Sequence, residues 1–142
     1  QSIKKDFGNK KTKILITGLN PHAGENGSLG KEEKDIIKPA INSLKKSMNI
    51  YGPISADSAF TKENLNKYDA VLCMSHDQAL IPVKTIDFYN TVNYTAGLNF
   101  VRTSPDHGTG FDIATKFIAN ENSLVSAIRN AIKISKNRSI NK

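Results

Sequence analysis

Residues 69–112 read DAVLCMSHDQALIPVKTIDFYNTVNYTAGLNFVRTSPDHGTGFD. The apolar run from Ala70 to Met74 passes directly into Ser75-His76-Asp77-Gln78. That is the pattern of a buried strand ending in polar groups, and in open α/β sheets ligands bind at such strand ends. Two of the three histidines, His76 and His107, lie in this stretch, together with Lys84, Asn93 and Arg102. The stretch is expected to form the active-site half of the chain, and the remaining residues to support it.

Working outward, Lys13 to Thr17 is a second apolar run, closed by Gly18, and predicts a parallel strand. A loop rich in turn formers follows, Leu19-Asn20-Pro21-His22-Ala23-Gly24-Glu25-Asn26-Gly27. The spacing of Ile36, Ile37, Ala40, Ile41, Leu44 and Met48 predicts a helix over 31–48, with a kink or a new first turn at Pro39. A short strand is expected over 50–54, and a helical turn over 56–60 capped by Ser55. Beyond the strand at 68–75, the pattern predicts a helix over 77–86 with Pro82 in its first turns, and strands over 90–95 and 99–103. Helices are expected over 111–119 and 123–135, the last with Ala127, Ile128, Ala131, Ile132 and Ile134 as its apolar stripe. Strands alternating with helices place the chain in the α/β class.

A chain of 142 residues suits one domain with its own core. It contains no apolar stretch of about 18 residues, so no membrane span is expected. The opening QSIKKDFGNKKTK has no apolar segment of signal-peptide type and no initiator Met, which suggests a piece of a longer protein. The lone Cys73 sits in an apolar run and reads as a reduced core residue rather than a nucleophile, in keeping with a cytoplasmic setting. The net charge of +7 admits nucleic acid or an anionic small substrate as partner. A nucleic-acid module needs a contiguous basic face interleaved with aromatics. Here Lys4, Lys5, Lys10, Lys11 and Lys13 stand at the front and Lys133, Lys136, Arg138 and Lys142 at the back, which reads as solvated ends.

The polar groups carry definite chemistry. His22 lies in the loop after a strand, next to acidic and glycine residues, and is either a ligand or a surface imidazole. His76 followed by Asp77 offers a metal ligand or a general base. The alternative is a helix start at which Asp77 complements the dipole. Lys84, Asn93 and Arg102 fall nine residues apart, a spacing without meaning in itself. A lysine, an amide and an arginine on successive elements can nevertheless converge on one anion. Gly108-Thr109-Gly110 is a small glycine-rich loop before an expected helix, whose backbone amides could hold a phosphate or ribose.

Three segments taken together resemble the 4-hydroxythreonine-4-phosphate dehydrogenases of vitamin B6 biosynthesis. They are Gly18-Leu19-Asn20-Pro21-His22-Ala23-Gly24-Glu25, Met74-Ser75-His76-Asp77-Gln78, and Arg102-Thr103-Ser104-Pro105-Asp106-His107-Gly108-Thr109. Gly52-Pro53 followed by Ala56-Asp57 and Phe60 agrees as well. The resemblance implies an isocitrate/isopropylmalate dehydrogenase-like α/β/α sandwich. The chain would be the C-terminal part of a two-domain, cytoplasmic homodimer whose cleft lies between domains. The resemblance covers the dehydrogenase portion at 13–136; by composition 1–12 is a basic segment and 137–142 a polar tail.

The resemblance also implies roles. His22 and His76 are metal ligands, His76 being supplied across the dimer interface, while the family's third histidine lies outside this chain. Lys84, Asn93 and Arg102 bind the substrate's phosphate and carboxylate. Asp77 orients His76 or assists proton transfer. His107, Gly108 and Thr109 with Asp112 are similar to the cofactor loop of isopropylmalate dehydrogenase, in which the acid takes the ribose hydroxyls. The implied activity is metal-dependent oxidation of 4-phosphohydroxy-L-threonine with NAD or NADP. The metal is zinc, cobalt, manganese or magnesium, with magnesium the least expected from imidazole ligands. Related enzymes acting on threonate or erythronate 4-phosphate are the alternative. The family pattern has Tyr and Gly where this chain has Ser75 and Ala79. With a metal ligand outside it, the 142-residue chain alone is expected to be inactive.

Overall fold

The computed structural model describes residues 1–9, 11–111, 113–116 and 118–140. The chain divides into two compact units, residues 10–82 and residues 1–9 with 83–142.

The first unit is built on a parallel sheet of β1 (Lys13–Thr17), β2 (Asn49–Ile54) and β3 (Ala70–Leu72), in the order β2-β1-β3. Leu15 pairs with Tyr51 on one side and Val71 on the other, so β1 is central. Its run of β-branched and aliphatic residues suits a strand covered on both faces. Leu15, Ile16 and Thr17 are all buried. Ile16, Ile41 and Ile50 form the core cluster, with Ile14, Ile37 and Met74 packed against it. Ile41 comes from α2 (Lys38–Leu44). The helix expected over 31–48 is shorter and compound. A wide helical turn, Glu33–Ile37, leads into α2, with Pro39 in its first turn. There the missing N–H of proline costs no intrahelical bond.

After β2 a short turn, Ala56–Ser58, precedes α3 (Lys62–Lys67). Ser55 does not cap that turn through its side chain; Thr61 caps α3, accepting from the Asn64 amide. β3 is followed by α4 (His76–Asp87). Pro82 lies inside α4 rather than in its first turns, and the division between units falls just after it. Cys73 is half-buried, and burial pushes its thiol above the ordinary value. That suits an unreactive side chain.

The second unit contains α1 (Ser2–Phe7), an antiparallel hairpin of β4 (Val92–Tyr94) and β5 (Thr103–Pro105), and α5 (Asn122–Ile140). The expected strand at 99–103 is displaced toward β5, and α5 runs past 135 to Ile140. Its buried face carries Ser123, Ala127 and Ile134, whereas Ile128 and Ile132 are each 52% exposed, contrary to the expected stripe. The reason is polar. Ser123 Oγ donates to the Thr91 carbonyl at 3.1 Å, and Thr103 Oγ1 donates to the Ala127 carbonyl at 2.9 Å. These bonds set the rotation of the helix. Residues 111 and 113–116 form turns and residues 118–119 are irregular, in place of the expected helix. Phe111 and Ile118 are 82% and 66% exposed, so no packing supports one.

Asp6, 1% exposed, ties this unit together. Arg138 Nε donates to Asp6 Oδ1 at 2.6 Å and Nη2 to Oδ2 at 3.0 Å, and the Tyr94 hydroxyl also donates to Oδ2. Asn137 Nδ2 bonds the Asp6 carbonyl at 2.8 Å, and Phe7 packs edge-on against Tyr94. The N-terminal segment is thus docked on α5. The Arg138 hydrogen bond holds the Asp6 carboxyl below its ordinary 3.8, against the opposing effect of burial and with help from Tyr94.

Two outcomes follow. Ile41→Ala should cost about 3 kcal/mol in urea unfolding, the usual scale for an aliphatic cavity in a small core. Because the folded pKa of Asp6 is depressed, its contribution is complete above the unfolded value and is lost as pH falls through the folded one. Stability followed from about pH 5 down to about pH 3 should therefore fall less steeply in Asp6→Asn than in the wild type.

Candidate functional site

The C-terminal ends of β1 and β3 are adjacent, and the segments leaving them are joined by Gln78. Its Oε1 accepts from the Thr17 hydroxyl and from the Met74 amide, both at 2.9 Å. Its Nε2 donates to the Gly18 carbonyl at 2.9 Å. Ser75 Oγ accepts from the Gln78 amide at 3.4 Å, at the start of α4. His76 and Asp77 follow in the exposed first turn.

The segment after β1 is unusual. His22, Ala23, Gly24, Glu25 and Asn26 have φ of 52°, 51°, 79°, 43° and 59°, a continuous left-handed turn. For L-residues this costs roughly 1 kcal/mol or more each, and it persists only where the surroundings over-determine it. Backbone bonds close the turn, from Ala23 to Asn20 at 3.1 Å and from Leu29 to Gly24 at 3.2 Å. Beneath it lies Glu33, 2% exposed. Its Oε1 accepts from the Leu19 and Asn20 amides, both at 2.7 Å, and its Oε2 from Asn20 Nδ2 at 3.0 Å. Burial pushes this carboxyl up, but the donors from Asn20 and Leu19 outweigh it and leave the group below its ordinary value. Gly24 and Gly30 have positive φ, and a Cβ on them would collide with Glu33 Oε2 and the Asn20 side chain.

His22 Nδ1 lies 3.2 Å from Glu25 Oε1. With the proton on Nδ1, the ring donates to Glu25 and leaves the Nε2 lone pair for a ligand, the usual arrangement of a metal-binding imidazole. The described residues contain no group of three His, Cys, Asp or Glu able to hold a metal. His22 and His76 therefore fit as individual donors to a borderline cation, not as a complete site.

The anion-binding candidates lie in the second unit. Asn93 pairs with Ser104, and the Thr95 amide donates to the Arg102 carbonyl at 3.1 Å, extending the hairpin ladder. Paired residues of an antiparallel ladder share a face, so Asn93 and Arg102 lie on the same side. Tyr94 and Thr103 take the other side, toward α1 and α5. Arg102 Nη1 donates to Thr95 Oγ1 at 2.8 Å, which orients the guanidinium. Lys84 Nζ lies 3.9 Å from Asp106 Oδ2 and 5.6 Å from the Phe88 ring centre.

His107, Gly108 and Thr109 line an open cleft of about 760 Å³ together with Phe88 and Tyr89. His107 Nδ1 is 2.9 Å from the Gly108 carbonyl. The helix expected to follow this loop is absent among the described residues, and Asp112 lies outside them. Sequence reasoning assigned nothing to Glu33, Gln78 or Thr95. Gln78 stands within the His-Asp-Gln triplet and Glu33 within an acidic pair after Gly30. Those were the available signals.

The chain is similar to known proteins in both sequence and fold. The chain is 53% identical over 141 residues to the 4-hydroxythreonine-4-phosphate dehydrogenase of Caulobacter vibrioides, covering 99% of this chain and 42% of that protein. The crystal structure of 4-hydroxythreonine-4-phosphate dehydrogenase from Klebsiella pneumoniae superposes with a TM-score of 0.78 at 41% identity, over 94% of this chain and 41% of that one. A terephthalate 1,2-cis-dihydrodiol dehydrogenase from Burkholderia xenovorans superposes with a TM-score of 0.69 at 33% identity, over 94% of this chain and 42% of that one. The chain thus spans about two fifths of the length of the relatives it matches. With residues 1–131 matched to it, the chain belongs to the family of pyridoxal phosphate biosynthetic protein PdxA.

Proposed function

We infer that the chain is the C-terminal portion of a metal-dependent, NAD- or NADP-linked 4-hydroxythreonine-4-phosphate dehydrogenase of the cytoplasm, working as a homodimer. The observation that carries the reading is the placement of His22 and His76 on the segments leaving two adjacent parallel strands, locked together by Gln78. Ligand sites of α/β sheets form at such strand ends.

The substrate, 4-phosphohydroxy-L-threonine, presents a phosphate and a carboxylate. Lys84, Asn93 and Arg102 hold these anionic groups and fix the reacting carbon. Thr95 keeps the Arg102 guanidinium aimed, so less side-chain freedom is lost on binding. His22, with Nδ1 engaged by Glu25, presents an imidazole lone pair to the cation, and His76 presents another across the dimer interface, to the partner's site. Asp77 orients His76 or receives the hydroxyl proton. When bound, a divalent metal polarises the substrate hydroxyl and a nicotinamide takes the hydride. The loss of that hydride and proton gives 2-amino-3-oxo-4-phosphobutanoate, a β-keto acid that releases carbon dioxide to leave 3-amino-2-oxopropyl phosphate. The cleft beside His107, Gly108 and Thr109 accepts the cofactor's adenosine, and Asp112, the acid five residues after His107 in the sequence, is the candidate partner of the ribose hydroxyls. That acid favours NAD, because it repels a 2′-phosphate.

A second reading keeps the same residues and changes the substrate to threonate or erythronate 4-phosphate. The Burkholderia xenovorans neighbour favours keeping it in view, since its name puts a different substrate on a similar fold.

The full-length protein, given cobalt or zinc and NAD, should form NADH faster with 4-phosphohydroxythreonine than with threonate 4-phosphate. The reverse preference would establish the second reading, and no NADH from either would overturn both. Arg102→Ala should lower kcat/KM by about tenfold to a hundredfold, the scale of a lost charge-assisted hydrogen bond. The 142-residue chain alone should show no turnover.

A further inference from the structure

Glu33 is nearly inaccessible and touches nothing that reacts, yet it faces the segment that carries His22. We propose that Glu33 is a positioning residue for His22, setting the imidazole in place by clamping the left-handed turn from beneath. The role rests on the reading of His22 as a metal ligand.

Three observations within one unit converge. The turn carries four non-glycine residues at positive φ, a conformation that needs external support. Glu33 supplies that support at the entry, where its carboxylate receives the amides of Leu19 and Asn20 and the side chain of Asn20. The glycines are placed to admit it, since a Cβ at Gly24 or Gly30 would strike Glu33 or the Asn20 side chain that Glu33 holds. Pro21 then follows Asn20 directly, so little freedom separates the clamped amides from His22. Glu25 orients the ring from above through Nδ1, while Glu33 fixes the backbone on which the ring is mounted. Groups bonded directly to a metal ligand typically change affinity by about tenfold to a hundredfold when lost, and Glu33, which holds the backbone ahead of His22 rather than its ring, is expected at the lower end of that range.

The test is a cobalt(II) titration of the metal-free full-length protein, followed by visible absorption, for wild type, His22→Ala and Glu33→Gln. Glutamine keeps the size of the side chain but replaces one acceptor oxygen with an NH₂ group. The expected result is cobalt affinity weakened by about tenfold in Glu33→Gln. The cobalt spectrum at saturation should also be altered, with a cooperative thermal transition retained. A Glu33 that is merely structural would lower the thermal midpoint and leave affinity and spectrum as in the wild type; that outcome, with binding lost in His22→Ala, overturns the proposal. Wild-type binding by His22→Ala would instead remove the metal reading itself, and the role of Glu33 with it. If Glu33→Gln does not fold, Gly24→Ala, whose methyl would press on Glu33, is judged by the same criterion.

Discussion

A single side-chain amide, that of Gln78, joins the two strand ends on which the candidate site is built. Thr17, Met74 and Gly18 are its partners, and they belong to β1, to the segment after β3 and to the segment after β1. Parallel strands are connected only through the helices between them, so nothing in the ladder itself fixes the paths of the segments that leave it. Gln78 does so here. It holds the first turn of α4, and with it His76, in a set relation to the start of the turn that carries His22. Thr17 is fully buried, so the bond it donates is shielded from water and correspondingly costly to break.

The second unit solves a different problem with a buried charge. Asp6 would be costly to bury alone. Arg138, Tyr94 and Asn137 surround it with donors, and this holds α1 and the hairpin to α5. One face of the hairpin is committed to that packing. The other face is left to Asn93 and Arg102, which therefore remain exposed. The same alternation that builds the small core thus separates the packed residues from the exposed candidate residues Asn93 and Arg102.

How much of this was legible in the sequence follows from what periodicity can register. The apolar runs at 13–17 and 70–74 marked parallel strands; in the central β1 burial of Leu15, Ile16 and Thr17 matches the continuous run, whereas the edge strand β3 leaves Leu72 exposed. Pro39 marked the first turn of a helix because proline is tolerated there. His22, His76, Lys84 and Arg102 were singled out as candidates by residue type, and they lie near element ends. The partners were not. Glu33 sits in Lys31-Glu32-Glu33-Lys34-Asp35, which has the look of a solvated face, and only the folded path of residues 18–20 brings donors to it. The stripe of α5 was misjudged because Ile128 and Ile132 suggested the buried side, whereas hydrogen bonds of Ser123 and to Ala127 set the rotation. Among the described residues of 111–119 the expected helix is absent, and Phe111 and Ile118 are exposed.

The account stands most directly on His22 and His76 as metal ligands presented from adjacent strand ends. The decisive measurement is a crystal structure of the full-length protein soaked in cobalt, with an anomalous map at the metal's absorption edge. The account predicts a peak about 2.1 Å from His22 Nε2 and a similar distance from a His76 imidazole. A peak elsewhere, or metal-dependent turnover with no peak at His22, would contradict it.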